Sequence, residues 1–206
     1  MELTKETNFR VLQQDNIAVP CYFYGLFKSA GLESYPDLDW VNQDYELIKS
    51  KNLDAENCTR IANNLWKVGE KFNLFAKLDY FIMMPLKLAS ISSLASVIEQ
   101  LIKLIAEKSG KKIELINDLF QIVDYRKFWE NRLNLDERKQ EIANKITLQE
   151  KYHHFFEGKN MVIVDDVVST GTSIVKVTEV IKEFNDDLDV TALTYGSVYE
   201  WEKIYT

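Results

Sequence analysis

Cysteine is scarce in this sequence. Cys21 and Cys58 are the only two in 206 residues, and neither has a CxxC partner or histidine-rich company. That excludes a zinc ribbon and a disulfide framework, and leaves two buried or half-buried free thiols as the expectation. Long apolar runs are missing too: none approaches the roughly 20 residues needed to span a bilayer, so no membrane partner is expected. The first residues, Met1-Glu2-Leu3-Thr4-Lys5-Glu6, carry acids and no apolar stretch, so no signal peptide is expected and the chain reads as cytoplasmic. Positive charge is in the minority, with 25 Lys and Arg against 32 Asp and Glu for a net charge of -7. Nucleic acid and anionic membranes are therefore not expected as partners. There is no internal repeat and no low-complexity tract. A phosphate loop ending in Gly-Lys-Ser/Thr is absent, and so is a GxSxG elbow, so neither an NTPase nor a serine hydrolase is expected. His153 and His154 are adjacent and would diverge on any regular element, which argues against a metal pair.

What is present is ordinary in bulk, 46% hydrophobic and 28% charged, and fits one α/β domain with an appendage or two small units. Residues 1–77 read as an N-terminal, mainly helical extension or hood. Within it, Pro20 to Phe27 is an aromatic-rich strand or helix start, and Tyr35-Pro36-Asp37 a turn. Apolar positions Ile61, Leu65, Val68 and Phe72 predict a helix from Asp54, its N-cap, to about Phe75. The aromatic groups around Tyr22, Phe23 and Tyr24 and around Tyr35, Trp40 and Tyr45 read as satellite core.

From residue 78 to 206 strands and helices alternate, which predicts a mostly parallel sheet flanked by helices. Tyr80 to Met84 is a buried strand stopped by Pro85. Ser92 or Ser93 caps a helix with the stripe Leu94, Ile98, Leu101, Ile102 and Ile105, stopped at Gly110. Lys112 to Ile116 is a second strand, and Leu119 to Val123 either continues it or forms a helical turn. Asp124 to about Lys151 is strongly charged. It reads either as a solvated helix laced with i,i+4 pairs or as a mobile charged lid. Val190 to Tyr195 is the last strand.

The organising stretch is Met161 to Ser173. An apolar, β-branched run has the composition of a strand buried on both faces. Asp165 and Asp166 stand where it should end. Ser169, Thr170, Thr172 and Ser173 surround Gly171, and Ile174, Val177, Val180 and Ile181 resume at helical spacing. Carboxylates at this place accept hydrogen bonds from vicinal ribose hydroxyls. The loop offers backbone N–H groups and four hydroxyls, Gly171 permits a positive φ, and the helix dipole favours a dianionic phosphate. Adjacent strand residues face opposite ways, so the two acids act differently unless the strand bends. The pattern also suits a plain strand and capped helix with Asp166 or Ser169 as cap, which leaves one acid and several hydroxyls idle.

Val162 to Ser173 resembles the phosphoribosyl-pyrophosphate-binding motif of type I phosphoribosyltransferases, and within that family the chain is most similar to the competence-associated orphan members. The resemblance implies that Asp165 and Asp166 meet the ribose hydroxyls, as catalytic and metal-associated residues. It also implies that Val167, Val168, Ser169, Thr170, Gly171, Thr172 and Ser173 bind substrate through its 5′-phosphate. Mg²⁺ is implied as cofactor, bound with phosphoribosyl pyrophosphate. Pro85 to Ser90 takes the place of the pyrophosphate loop; it has no glycine, so Lys87 or backbone amides are expected to serve there. Arg126, Lys127, Arg132 and Arg138 are the candidate lid cations. The zinc-ribbon cysteines common among the orphan members are absent, and no base-stacking hood follows residue 195.

Two functions follow. One is an enzyme, a pentosyltransferase that moves the phosphoribosyl group to a nitrogen base with loss of pyrophosphate. The other is a non-catalytic protein on the same fold that senses phosphoribosyl pyrophosphate or a ribose 5-phosphate nucleotide, as a regulator or as an accessory of a bacterial stress or defence system. In either case a homodimer contact or protein partner is expected on residues 1–77.

Overall fold

The computed structural model describes residues 8–28, 41–51, 53–85, 92–124, 131, 133–153 and 155–198. Its centre is a six-stranded sheet. In chain order the strands and helices are β1 (Phe9–Gln14), β2 (Ile17–Phe27), α1 (Asn42–Ile48), α2 (Ala55–Lys71), β3 (Tyr80–Met83), α3 (Leu94–Ser109) and β4 (Glu114–Ile116). They continue as β5 (Phe120–Ile122), α4 (Leu135–Ile142), β6 (Ile146–Leu148), β7 (Met161–Val168), α5 (Thr172–Lys182) and β8 (Val190–Val198). The sheet order is β1-β2-β8-β7-β3-β4. Only the β1–β2 hairpin is antiparallel; β2–β8, β8–β7, β7–β3 and β3–β4 are parallel. This is the α/β class expected, a mostly parallel sheet flanked by helices.

Both faces of the sheet are covered, which is why β7 is apolar without alternation. Met161 and Ile163 pack into a cluster with Ile174, Val177 and Ile181 of α5. Val162 and Val164 pack into the opposite cluster with Ile61 and Leu65 of α2 and Ile98 and Leu101 of α3. The helices sit where their caps and stripes predict. Asp54 caps α2 by accepting from the Asn57 N–H at 2.8 Å. Gly110 ends α3 in the left-handed conformation at φ 70°, a turn that costs glycine little. At the start of α3 it is Ser92 Oγ that accepts from Leu94 N, at 3.2 Å, while Ser93 donates instead to the Ser50 carbonyl at 2.6 Å.

Three expectations change. The N-terminal third is not mainly helical among its described residues: β1 and β2 stand in the central sheet, and β2 lies beside β8 from Cys21↔Ala192 to Phe27↔Val198. The aromatic run at 20–27 is therefore a strand, and its alternation is hidden because both its faces are largely covered. Second, residues 120–122 neither extend β4 nor coil. They pair antiparallel with β6, Phe120↔Leu148 and Ile122↔Ile146, in a separate two-stranded sheet. Third, the described part of the charged segment is not one solvated helix but a short helix, α4, followed by β6. Asn134 and Glu137 form a reciprocal capping box at the start of α4, and the helix buries Arg138 and Ile142. Arg126, Lys127 and Arg132 of the expected lid lie outside the described residues.

Cys21 and Cys58 are free, the first buried and the second half-buried. Burial pushes the Cys21 thiol up to about 12. His153 stacks on Phe184 with ring centroids 3.8 Å apart, and His154 is outside the described residues. Among the described residues no helix is long and apolar enough to cross a membrane.

Candidate functional site

The site is made where β7 outruns one neighbour. Pairing with β3 stops at Met83↔Val164, followed by a last bond from Met84 N to the Val164 carbonyl at 3.0 Å. Pairing with β8 continues to Val168↔Ser197. The strand therefore does not end at the acids, as expected from the sequence, but runs on to Val168. Asp165 and Asp166 lie at the step where the β3 side has opened and the β8 side still holds the backbone.

The two carboxylates have different surroundings, as the pleat requires. Asp166 is 7% exposed and follows Val162 and Val164 toward the α1 side, where the Lys49 ammonium forms an ion pair with its Oδ2. Its Oδ1 accepts from the Val167 N–H at 2.7 Å. Asp165 is half-buried, and its Oδ1 accepts from the Asp166 N–H at 2.9 Å. Burial, and then the adjacent Asp166 charge, push the Asp165 carboxyl up to about 8, against the opposing pull of Lys49.

Lys49 follows α1, and α1 is held by a polar cluster that runs from buried Tyr195 and Asn64 out to exposed Arg60. Tyr195 on β8 donates its hydroxyl to Asp44 Oδ2 at 2.5 Å and accepts from Asn64 Nδ2 at 2.9 Å. Arg60 grips the same Asp44 with two bonds of 2.9 and 2.7 Å. Together these tie α1 to α2 and to the middle of the sheet.

Beyond β7, Ser169 and Thr170 form a bend and Gly171 adopts φ 81°. A Cβ at Gly171 would stand 2.8 Å from a Leu12 methyl on β1. Gly171 is also the N-cap of α5 and supplies no side-chain cap. Neither Asp166 nor Ser169 caps that helix, so the plain capped-helix reading of the motif does not hold.

Two buried guanidinium groups meet this loop. Arg10, 7% exposed on β1, donates through Nη2 to the Ser169 carbonyl. Arg138, 1% exposed on α4, donates through Nη1 to Ser169 Oγ at 3.3 Å and to Thr170 Oγ1 at 3.4 Å, and through Nε to the Leu133 carbonyl at 2.7 Å. Thr170 and Thr172 share a hydroxyl–hydroxyl bond of 2.9 Å, and Gln14 Nε2 donates to Thr172 Oγ1 at 2.9 Å. A cavity of about 370 Å³ opens behind Thr172, between Gln14 and Asp15 at the hairpin turn, Lys139 and Val175.

Of the residues singled out by sequence, the structure brings Asp165, Asp166 and Ser169 to Thr172 together with Arg138. Val167 and Ser173 are half-buried and Val168 is buried. Lys87 lies outside the described residues. Sequence reasoning missed Arg10, Gln14 and Lys49. Arg10 carried one signal: it stands in phase with Leu12 on the inward face of β1, a costly place for an unpaired charge.

The donor set does not suit a resident Mg²⁺. That ion wants near-octahedral oxygen coordination. Here one Asp166 oxygen faces an ammonium and the other a backbone N–H, while the Asp165 carboxyl is pushed toward its neutral form. Among the described residues, no group of three or more metal-ligating side chains gathers.

No family model matches the sequence, and no curated protein matches it. Among solved structures, a purine phosphoribosyltransferase from Pyrococcus horikoshii Ot3 matches 69% of this chain and 84% of its own, at 18% identity and a TM-score of 0.40.

Proposed function

We propose that the chain is a phosphoribosyltransferase-like protein of the cytoplasm that binds phosphoribosyl pyrophosphate or a ribose 5-phosphate nucleotide at residues 165–173. One observation carries the reading. The acid pair and the hydroxyl loop opening α5 form one continuous segment, and Arg10 and Arg138 from distant elements converge on that loop. The acids accept from vicinal hydroxyls. The loop N–H groups, its hydroxyls and the helix dipole favour a phosphate dianion, and guanidinium groups beside them raise the local positive potential. The Mg²⁺ expected from the resemblance arrives on the ligand's own diphosphate. Free, reduced cysteines suit the cytoplasm.

In the enzyme form of the proposal the phosphoribosyl group passes to a nitrogen base and pyrophosphate leaves. The chain's contribution is orientation of the ribose and electrostatic stabilisation of its reacting carbon. The sensor form has its own support. The loop hydroxyls accept from Arg138 and Gln14 and bond to one another, so a ligand that takes their remaining O–H donors acts on groups held by α4 and β1. That couples occupancy to two outer elements. A partner would then read it on residues 1–77, where β1 forms an edge of the central sheet.

Calorimetry with phosphoribosyl pyrophosphate and with AMP tests the binding claim, and pyrophosphate release in the presence of nucleobases divides its two forms. Binding of neither compound, or unchanged binding in Ser169→Ala/Thr170→Ala, overturns the proposal.

A further inference from the structure

The acid pair already has a cation, and it belongs to the chain. Lys49 follows α1, which Asp44 fastens to Tyr195 and Arg60. Its ammonium lies 5.4 Å from the centre of the Tyr45 ring and pairs with Asp166 Oδ2. The Lys49 side chain is 34% exposed against 10% for Asp166, so it is the less buried partner of the pair. The remaining Asp166 oxygen and one Asp165 oxygen receive backbone N–H groups from the strand itself. A divalent ion at Asp166 Oδ2 would have to displace the ammonium.

We propose that Lys49 takes over at Asp165 and Asp166 the charge neutralisation that the resemblance assigns to Mg²⁺, so that this half of the site binds a ribose phosphate without a metal. The inference rests on the ribose-phosphate reading above and adds a residue and a metal requirement to it. An ammonium on one side of Asp166 leaves further carboxylate lone pairs for sugar hydroxyls, because each oxygen accepts more than one hydrogen bond. A Mg²⁺ that accompanies a diphosphate then answers the diphosphate's charge rather than the acids'.

AMP is the probe, because it carries the ribose and 5′-phosphate but no diphosphate to bring a metal. Calorimetry on the full chain is run in EDTA and in Mg²⁺. The unmodified protein is expected to bind AMP equally well in both. Lys49→Met is expected to lose about tenfold or more in EDTA, as truncating one member of a desolvated charge pair does, and to recover part of that loss in Mg²⁺. Lys49→Arg keeps the cation and should bind without metal. Thermal melts of both variants show that the fold is intact, and a purely structural role for Lys49 would not produce rescue by Mg²⁺. AMP binding by the unmodified protein that disappears in EDTA, or Lys49→Met binding that is indifferent to EDTA, overturns this inference and leaves the ribose-phosphate reading standing. Failure of the unmodified protein to bind AMP under either condition removes both.

Discussion

Arg138 and Ser169, 31 positions apart in the chain, meet at 3.3 Å, guanidinium to hydroxyl. The bond fastens the one described helix of the charged segment to the loop after β7. Arg138 also reaches Thr170 and the Leu133 carbonyl, so a single side chain sets the approach of α4 and the orientation of two loop hydroxyls.

Replacing Arg138 with Ala should cost about 3 kcal/mol, since hydrogen bonds to a charged group are removed from a buried place and packing is lost with them. Arg138→Lys should recover only part, because an ammonium cannot reproduce a planar fork spanning Leu133 and the loop. Urea denaturation gives the stability. AMP affinity should fall in both variants; a stably folded Arg138→Lys with undiminished affinity would separate α4 from the site.

Gly171→Ala should destabilise by two separable amounts. A left-handed φ costs a residue with a Cβ about 1–2 kcal/mol. The clash at 2.8 Å with Leu12 adds an overpacking cost of about 1–3 kcal/mol. In a double-mutant cycle, Leu12→Ala should relieve the second and leave the first. Additive effects would mean that Leu12 moves aside freely.

Tyr195→Phe removes the bond to Asp44 and leaves the buried Asn64 amide without that acceptor. The expected loss is about 1–3 kcal/mol by denaturant unfolding. Because α1 carries Lys49 toward Asp166, AMP affinity should fall as well; Tyr195 itself sits on β8 between Thr194 and Gly196, the partners of Asp165 and Val167. Equal affinity at reduced stability would show that α1 is held independently of this bond.

The raised Asp165 carboxyl makes stability depend on pH. In the folded chain it holds its proton up to about 8, whereas the ordinary value is 3.8. Below both values folded and unfolded chains are equally protonated, and this group imposes no penalty. As pH rises between them the unfolded chain releases the proton first, so stability falls until about 8 and then levels. Asp165→Asn should flatten this part of the profile when denaturant midpoints are followed from pH 5 to pH 9. A profile unchanged by the substitution would place the folded carboxyl in its ordinary range.

The sequence by itself determined the elements whose causes are local. Asp54, Gly110 and Gly171 mark helix ends because a cap or a positive φ depends on a few neighbouring residues. The apolar run before Asp165 could only be a doubly covered strand, and the hydroxyl loop had to follow it. Tertiary structure alone decided what surrounds that loop. Arg10 stands 159 residues from Ser169 and Gln14 158 residues from Thr172, and Lys49 reaches Asp166 from the end of α1, 117 residues earlier in the chain. The place of β2 beside β8, and the pairing of β5 with β6, likewise depend on which distant strand offers a free edge. Periodicity records which face of an element is buried, but not what buries it. The acid pair and hydroxyl loop were therefore legible in the chain, and the cations that meet them were not.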